Sequence, residues 1–248
     1  MSGHSKWSTI KHKKAATDKK RGKIFTTLAK ELTIAAREGG GDPEFNSRLS
    51  LAIDKAKAEN MPKDNIERAI KRGTGELEGG ALEEIMYEAY GPHGVGILVE
   101  TVTDNRNRSI ADIRHVANKN GGSMAAAGSV AWQFTRKGYI AITGEVDQDE
   151  LFMVAADAGA DDVQFGEVTE IYVALESFQT VQKALKEAGY TLDEANLIYD
   201  PNNPVALSPE HTLQIMKFIE AMEEIDDAQN VYSTLDITDE AIAAMEAA

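Results

Sequence analysis

The first 23 residues carry a dense group of cationic side chains. Eight lysines and arginines stand against the single acid Asp18, and the segment has little apolar content. Cations of this kind neutralise phosphates and release counterions, which gives large, sequence-independent affinity for nucleic acid. We expect residues 1–23 to form a flexible basic arm. Its predicted nucleic-acid contacts are Lys6, Lys11, Lys13, Lys14, Lys19, Lys20, Arg21 and Lys23. The alternative is a solvated tail that serves solubility alone.

Trp7 lies among these cations without apolar neighbours at core spacing. An aromatic side chain beside cations suits stacking on nucleobases, which is worth about 1–3 kcal/mol per base. We therefore include Trp7 in the predicted contact set. A fold back onto the helices that follow is an equally good interpretation, and the residue types leave the two open.

Later cations extend the predicted contact surface. Arg68, Lys71 and Arg72 recur at i, i+3 and i+4 of a predicted helix, opposite its apolar stripe. Lys63 stands near the start of the same helix, and Arg48 lies on the helix before it. Cations near a helix C-terminus are also favoured by the macrodipole, so a solvated face is the alternative for this group.

A polar segment at residues 103–108 separates a predicted strand from a predicted helix. Asn105 or Asn107 is expected to cap this helix, and helix N-termini with nearby arginines bind phosphate readily. Arg106 and Arg108 complete the predicted nucleic-acid contacts. A plain capping turn with exposed arginines is the alternative.

Motifs of enzyme chemistry are missing from the sequence. The glycine-rich stretches lack the spacing of a phosphate-binding loop, and neither GxSxG nor HExxH occurs. There is no cysteine, and the five histidines show no paired metal spacing. We therefore expect no enzymatic activity, no catalytic residue, no metal and no cofactor.

Charge divides the chain into two unlike parts. The formal net charge is −15, yet residues 1–75 have a net charge of +8 and residues 76–248 a net charge of −23. Such asymmetry indicates nucleic-acid contact through the basic part, with the acidic part repelling phosphate elsewhere. The sequence has neither a secretory signal pattern nor a long apolar run, so we expect a cytoplasmic protein without a membrane partner.

Three helical patterns follow the arm and predict a helical nucleic-acid-binding domain over residues 24–80. The first pattern ends at the glycines 39–41, the second begins near Pro43, and the third runs from Pro62 to Gly73. The predicted inward stripes are Phe25, Leu28, Leu32 and Ala35 on the first, Phe45, Leu49, Ala52 and Ala56 on the second, and Ile66, Ala69 and Ile70 on the third.

The remaining chain predicts two α/β domains, so that the fold class is α+β and multidomain. Strands at 84–90, 94–103 and about 129–135 precede a compact β-α-β-β-α-β unit, which is the ferredoxin-like order. We place this unit at residues 137–203, inserted into a second domain made of residues 81–136 and 204–248.

Several stretches resemble the YebC family, whose bacterial members carry the label of transcriptional regulators. The resemblance rests on Gly3-His-Ser-Lys-Trp7, Arg21-Gly-Lys-Ile-Phe-Thr26, Asn60 to Gly75 (NMPKDNIERAIKRGTG), Tyr90-Gly-Pro92, Thr103-Asp-Asn-Arg-Asn-Arg108 and Gly128-Ser-Val130. It implies three domains around a cleft, DNA or RNA binding, and no enzymatic activity. Ser50 departs from the family, which often has a basic residue there, and this thins the patch around Arg48.

Two functional hypotheses follow. In the first, the protein is a DNA-binding regulator of transcription. In the second, it is a ribosome-associated translation factor that binds ribosomal RNA, as the resemblance to mitochondrial translational activators suggests. A pure protein-interaction module using the acidic ferredoxin-like domain is a third alternative. We expect a monomer, because nothing in the sequence suggests a two-fold dimer for palindromic sites.

Overall fold

The computed structural model describes residues 18–78 and 80–246. Its first part is helical, with α1 at Asp18–Gly39, α2 at Ser47–Ala58 and α3 at Lys63–Gly73. The helix α1 therefore begins inside the segment that we expected to be a flexible arm to residue 23. Cations that follow Asp18 belong to a helix, and the arm prediction is restricted to residues outside the described ones.

The predicted apolar stripes form the core between these helices, with one exception. Leu32, Leu49, Ala52 and Ala56 are fully buried, and the stripes of α1 and α3 meet them. Phe45 is the exception, because its side chain is 86% exposed and precedes the start of α2.

Asn46 explains the outward position of Phe45. The Asn46 side chain points inward, where its amide nitrogen donates to the carbonyl oxygens of Ala35 at 2.7 Å and Gly40 at 2.8 Å. Its amide oxygen accepts from the backbone N–H of Leu49 at 3.0 Å and so caps α2. Capping chemistry at Asn46 thus overrides the helical spacing that placed Phe45 in the stripe.

The second part opens with an antiparallel pair, β1 at Glu83–Tyr90 and β2 at Gly96–Thr103. The helix α4 follows at Arg106–Lys119, and the short strand β3 at Ser123–Met124 pairs with β1.

The inserted part has the predicted ferredoxin-like order. Its strands and helices alternate as β4 at Phe134–Thr143, α5 at Gln148–Asp157, β5 at Ala160–Gln164, β6 at Val168–Val173, α6 at Phe178–Glu187 and β7 at Glu194–Pro201. The strands form one antiparallel sheet in the order β5-β6-β4-β7. The separate strand predicted at 129–135 is wrong. A 3-10 turn at Ala131–Gln133 leads directly into β4, which crosses the predicted domain boundary at 136.

The chain then returns to the second part and completes its sheet. It forms β8 at Val205–Ala206, α7 at Pro209–Glu223, β9 at Ala228–Ser233, β10 at Leu235–Asp236 and α8 at Asp239–Glu246. The strand β9 pairs with β2, which gives the sheet order β3-β1-β2-β9. Pairing between strands more than a hundred residues apart confirms the predicted insertion in the second part.

The inserted sheet has an apolar layer on each face. Ile140 and Ile142 face α5 and α6, whereas Tyr139 and Ala141 pack with Leu98 and other residues of the second part. This alternation along β4 is the period of two that a strand covered on both faces requires. Among the residues described, no helix is long and apolar enough to cross a membrane.

Candidate nucleic-acid interface

The helix α3 is held against α1 by close backbone packing. Gly73 permits this approach, since an added Cβ would lie 2.7 Å from the Ala36 Cβ and would strike the Thr33 carbonyl oxygen. The Thr33 hydroxyl donates to the Ala69 carbonyl oxygen at 3.2 Å. One face of α3 is therefore fixed against α1, and the opposite face is turned to solvent.

Three cations occupy this outer face of α3. Arg68, Lys71 and Arg72 are exposed, and their i, i+3, i+4 spacing places them within about one turn. None of the three forms an ion pair within the part of the chain that the structure describes. We call these three residues the α3 basic face.

Two further exposed lysines precede the α3 basic face along the chain. Lys63 is highly exposed and lies 3.5 Å from the Glu67 carboxylate, one turn further along α3. Lys57, in the last turn of α2, is also exposed. Sequence reasoning did not include Lys57, although its position just before the loop that leads to α3 is a usable signal.

The predicted arm contacts divide into three groups. Lys6, Trp7, Lys11, Lys13 and Lys14 lie outside the described residues. Lys19, Lys20 and Arg21 belong to the first turn of α1, for which the structure describes the backbone. Lys23 is directed into the protein, where its ammonium group donates to the carbonyl oxygens of Glu223 and, at 2.7 Å, Ile225. These carbonyl groups lie at the C-terminal end of α7, which favours a cation.

Arg48 is surrounded by carboxylates. Its guanidinium lies 2.8 Å from Glu38, 3.7 Å from Glu31 and 3.0 Å from Glu84. Burial lowers the pKa of Arg48, but the carboxylates outweigh this effect and the pKa is raised. Because Glu84 belongs to β1, Arg48 connects the helical part to the second part.

Arg106 and Arg108 are also engaged by acids. Asn105 caps α4, as predicted for this position or Asn107, by accepting from the Arg108 backbone N–H at 3.1 Å. The Arg106 guanidinium pairs with Glu83. The Arg108 guanidinium lies 2.9 Å from both Asp104 and Asp227.

Asp227 is the centre of a buried cluster that sequence reasoning missed. Its carboxylate accepts from Lys30 at 2.9 Å, from the Ser109 hydroxyl at 2.8 Å and from the Thr103 hydroxyl at 3.0 Å, in addition to Arg108. Burial raises the pKa of Asp227, but the hydrogen bonds from Lys30, Ser109 and Arg108 outweigh it and lower the pKa to about 2. Lys30 lies on α1, so this cluster is a second connection between the helical part and the second part.

A carboxyl pair lies beside Arg48. Glu100 accepts hydrogen bonds from Asn230 at 2.7 Å and Tyr232 at 3.4 Å. Burial and a hydrogen bond with Glu84 raise the pKa of Glu100 to about 7. Burial raises the pKa of Glu84 as well, but the hydrogen bond to Glu100 and the charge of Arg48 outweigh it and lower that pKa. The pair therefore takes up one proton as the pH falls through about 7, chiefly on Glu100.

The sixteen predicted contacts thus fall into different environments. Arg68, Lys71 and Arg72 share one open face, whereas Lys23, Arg48, Arg106 and Arg108 are bound by groups of the chain itself. Within residues 18–78 and 80–246, no group of three or more histidine, aspartate or glutamate side chains has an arrangement that would hold a metal ion. What this surface offers chemically is a set of positive charges and hydrogen-bond donors, which suits anionic ligands.

Fold and site together define a three-part α+β protein with a cationic helical part and an inserted ferredoxin-like part. Residues 5–76 match the family model described as the TACO1/YebC protein N-terminal domain, and residues 82–235 match the model described as the TACO1/YebC second and third domain. The chain belongs to the TACO1/YebC family.

Similar proteins match this chain over nearly its full length. A protein of Acidithiobacillus ferrooxidans named "Probable transcriptional regulatory protein" is 53% identical over 248 residues, which cover 100% of this chain and 99% of the relative. A Geobacter sulfurreducens protein with the same descriptive name is 52% identical and covers 97% of this chain and 98% of its own. The crystal structure of a conserved hypothetical protein from Aquifex aeolicus is 45% identical, with a TM-score of 0.84 over 92% of this chain and 95% of that one.

Proposed function

We propose that this chain is a non-enzymatic regulator of gene expression that binds nucleic acid through the α3 basic face, together with the cations of residues 6–21. The observation that carries this proposal is the contrast among cations of the described residues. Arg68, Lys71 and Arg72 face solvent without ion pairs, whereas four other candidates are bound within the chain. Cations that no internal acid neutralises remain available for phosphate.

DNA is the first candidate ligand. The relatives named above carry the descriptive name of transcriptional regulators, and this supports a role in transcription for the present chain. In this role, the α3 basic face and the N-terminal cations bind the phosphates of a duplex, and the acidic remainder of the chain stays away from it.

Ribosomal RNA is the second candidate, and the composition of the outer surface of α3 favours it. The exposed side chains of this helix are Lys63, Asp64, Glu67, Arg68, Lys71 and Arg72. Asparagine and glutamine, which read adenine in the major groove, are missing from this exposed set. Arginine and lysine can contact guanine, but they bind any phosphate, so this surface suits a folded RNA, where shape supplies the specificity. In this role the chain is a translation factor.

Removing two cations of the α3 basic face tests the proposal. We expect K71Q/R72Q to weaken binding of a labelled nucleic acid and to reduce the salt slope by about 0.9 per lost duplex contact or about 0.7 per lost single-strand contact. The measurement is fluorescence anisotropy against salt concentration. The variant K183Q/K186Q removes the same charge from exposed positions on α6 and should bind like the unmodified protein. Equal losses in both variants would mean that only net charge matters and would contradict the proposed surface.

Crosslinking in cells distinguishes the two ligands. Ultraviolet irradiation followed by sequencing of the attached nucleic acid should recover promoter DNA in the first role and ribosomal RNA in the second. Both roles predict that recovery drops in K71Q/R72Q. If neither nucleic acid is recovered above the background of K71Q/R72Q, the proposed function is wrong.

A further inference from the structure

The outer face of α5 carries an exposed apolar patch. Phe152 is 50% exposed and Met153 is 59% exposed, although the same helix buries Leu151 and Ala155 in the core of the inserted part. Ala156 is exposed too and lies one turn after Phe152. We call Phe152, Met153 and Ala156 the α5 patch. These three side chains are neighbours on one helix face, and contiguous exposed apolar side chains mark an interaction surface.

Carboxylates border the α5 patch. Asp149 and Asp157 lie one turn before and one turn after Met153 on the same helix, and both are exposed. The edge strand β5 packs beside α5 and adds Asp161 and Asp162, which are also exposed. None of these four acids has an ion-pair partner among the residues that the structure describes. The rim therefore presents uncompensated negative charge around an apolar centre.

The α5 patch and its acidic rim lie on one side of the inserted part only. The opposite face of its sheet is covered by the second part, and the neighbouring helix α6 has Lys183 and Lys186 on its exposed side. Residues 137–203 as a whole contain 14 acidic and 3 basic residues. Phosphate is repelled by such a field, so the α5 patch is unsuited to the ligand of the α3 basic face.

We propose that the α5 patch and its carboxylate rim are a docking surface for a basic, amphipathic segment of a partner protein. Apolar side chains of the partner cover Phe152 and Met153, and its lysines and arginines meet Asp149, Asp157, Asp161 and Asp162. A methionine beside an aromatic ring adapts to partner side chains of different shape. Charge complementarity selects a basic partner over an acidic one and speeds the encounter. Protein binding at this surface would be a second activity, separate from the proposed nucleic-acid binding, and it would be located in the acidic part of the chain.

A designed peptide tests this surface in the full-length chain. The probe is a fluorescein-labelled helical peptide with leucine and lysine on opposite faces, and binding is followed by anisotropy at near-physiological salt. We expect F152S/M153S to weaken binding about tenfold or more, because two apolar side chains that the peptide covers are lost while the charge is unchanged. D149N/D157N should weaken binding as well and reduce its salt dependence.

Controls separate this surface from general attraction between opposite charges. The variant L197S/V205S alters two exposed apolar residues elsewhere and should bind the peptide like the unmodified protein. Circular dichroism should show that all variants keep the helix content of the parent. An unchanged affinity in F152S/M153S, or no binding of the peptide by the parent, would overturn the proposal.

A peptide of residues 1–17 provides the last comparison. If it binds more tightly than the designed probe and with the same dependence on Phe152 and Met153, the occupant is a segment of this chain and the proposal of a partner protein is overturned. Weaker binding by this peptide supports an external partner. These outcomes do not depend on whether K71Q/R72Q changes nucleic-acid binding, so the two proposals fail separately.

Discussion

At the scale of single residues, Asp227 connects parts of the chain that are far apart in sequence. Its buried carboxylate binds Lys30 of α1, and Arg108 and Ser109 of α4. Arg108 also pairs with Asp104, so two cations face two carboxylates here, and Arg108 has less to offer a phosphate than its exposed position suggests. The same reasoning applies to Arg48, which meets three carboxylates.

Replacing Asp227 by asparagine tests this connection. D227N leaves Lys30 and Arg108 without their shared anion, so we expect the free energy of unfolding at pH 7 to fall by roughly 2–3 kcal/mol. The measurement is urea denaturation. The neighbouring exposed residue offers a control, since D226N keeps the backbone carbonyl that Lys30 contacts and should change stability by less than about 0.5 kcal/mol.

The pH dependence of the free energy of unfolding provides a second test of the stabilising role of Asp227. Its pKa is lowered from 3.8 to about 2 in the folded protein. The stabilisation is therefore present above about pH 4 and is lost as the pH falls towards 2. The parent should lose stability over this window, whereas D227N should lose less. Parallel curves for the two proteins would contradict the assigned role.

At the scale of elements, the packing of α3 on α1 determines which side chains of α3 face solvent. Gly73 lets the end of α3 approach Thr33 and Ala36, and Ile66 and Ala69 are buried in the same interface. The α3 basic face is the remainder of the helix surface. The orientation of the α3 basic face therefore depends on a helix contact that only glycine at position 73 permits.

Substitution of Gly73 tests this dependence. In G73A the new Cβ meets the Thr33 carbonyl oxygen and the Ala36 side chain, so we expect the two helices to separate and stability to fall by about 1–3 kcal/mol. Thermal unfolding measures this loss. The control is G22A, because a Cβ at Gly22 on α1 meets nothing within 4 Å and alanine should stabilise the helix by about 0.5–1 kcal/mol. Equal effects of the two substitutions would exclude the packing argument.

At the scale of the whole molecule, the helical part and the second part meet at a cluster of acids. Arg48 of α2 lies against Glu84 of β1, and Glu84 is hydrogen-bonded to Glu100 of β2. Asn230 and Tyr232 of β9 complete the surroundings of Glu100. Burial, the hydrogen bond with Glu84 and the nearby charge of Glu31 together favour the protonated form of Glu100 and raise its pKa.

A pH-dependent stability of this junction follows. Since the pKa of Glu100 is raised from 4.5 to about 7 in the folded protein, its contribution to stability is present below about pH 4.5 and is lost as the pH rises through 7. E100Q mimics the protonated form and should avoid this loss, with a difference on the order of 1–3 kcal/mol at pH 8 compared with pH 5. Denaturation at the two pH values measures it, and the exposed E176Q variant should follow the parent. If E100Q also follows the parent, Glu100 carries no proton at neutral pH.

Much of the fold was predictable because its signals are local. Helical spacing identified α1 and α3, and the order of strands and helices identified the ferredoxin-like insertion. The errors have local causes as well. Asn46 turns inward and sends Phe45 outward, and a 3-10 turn replaces the strand expected before β4.

The sequence by itself determined the charge division, the family resemblance and the position of Arg68, Lys71 and Arg72 on one side of a helix, since that spacing follows from 3.6 residues per turn. Only the tertiary structure decided which cations remain unpaired. Arg48 meets Glu84 and Arg108 meets Asp227 across 36 and 119 positions of the chain. Spacing along the sequence carries no information on such encounters, because they arise when separate parts of the chain pack together and bring opposite charges within a few ångströms.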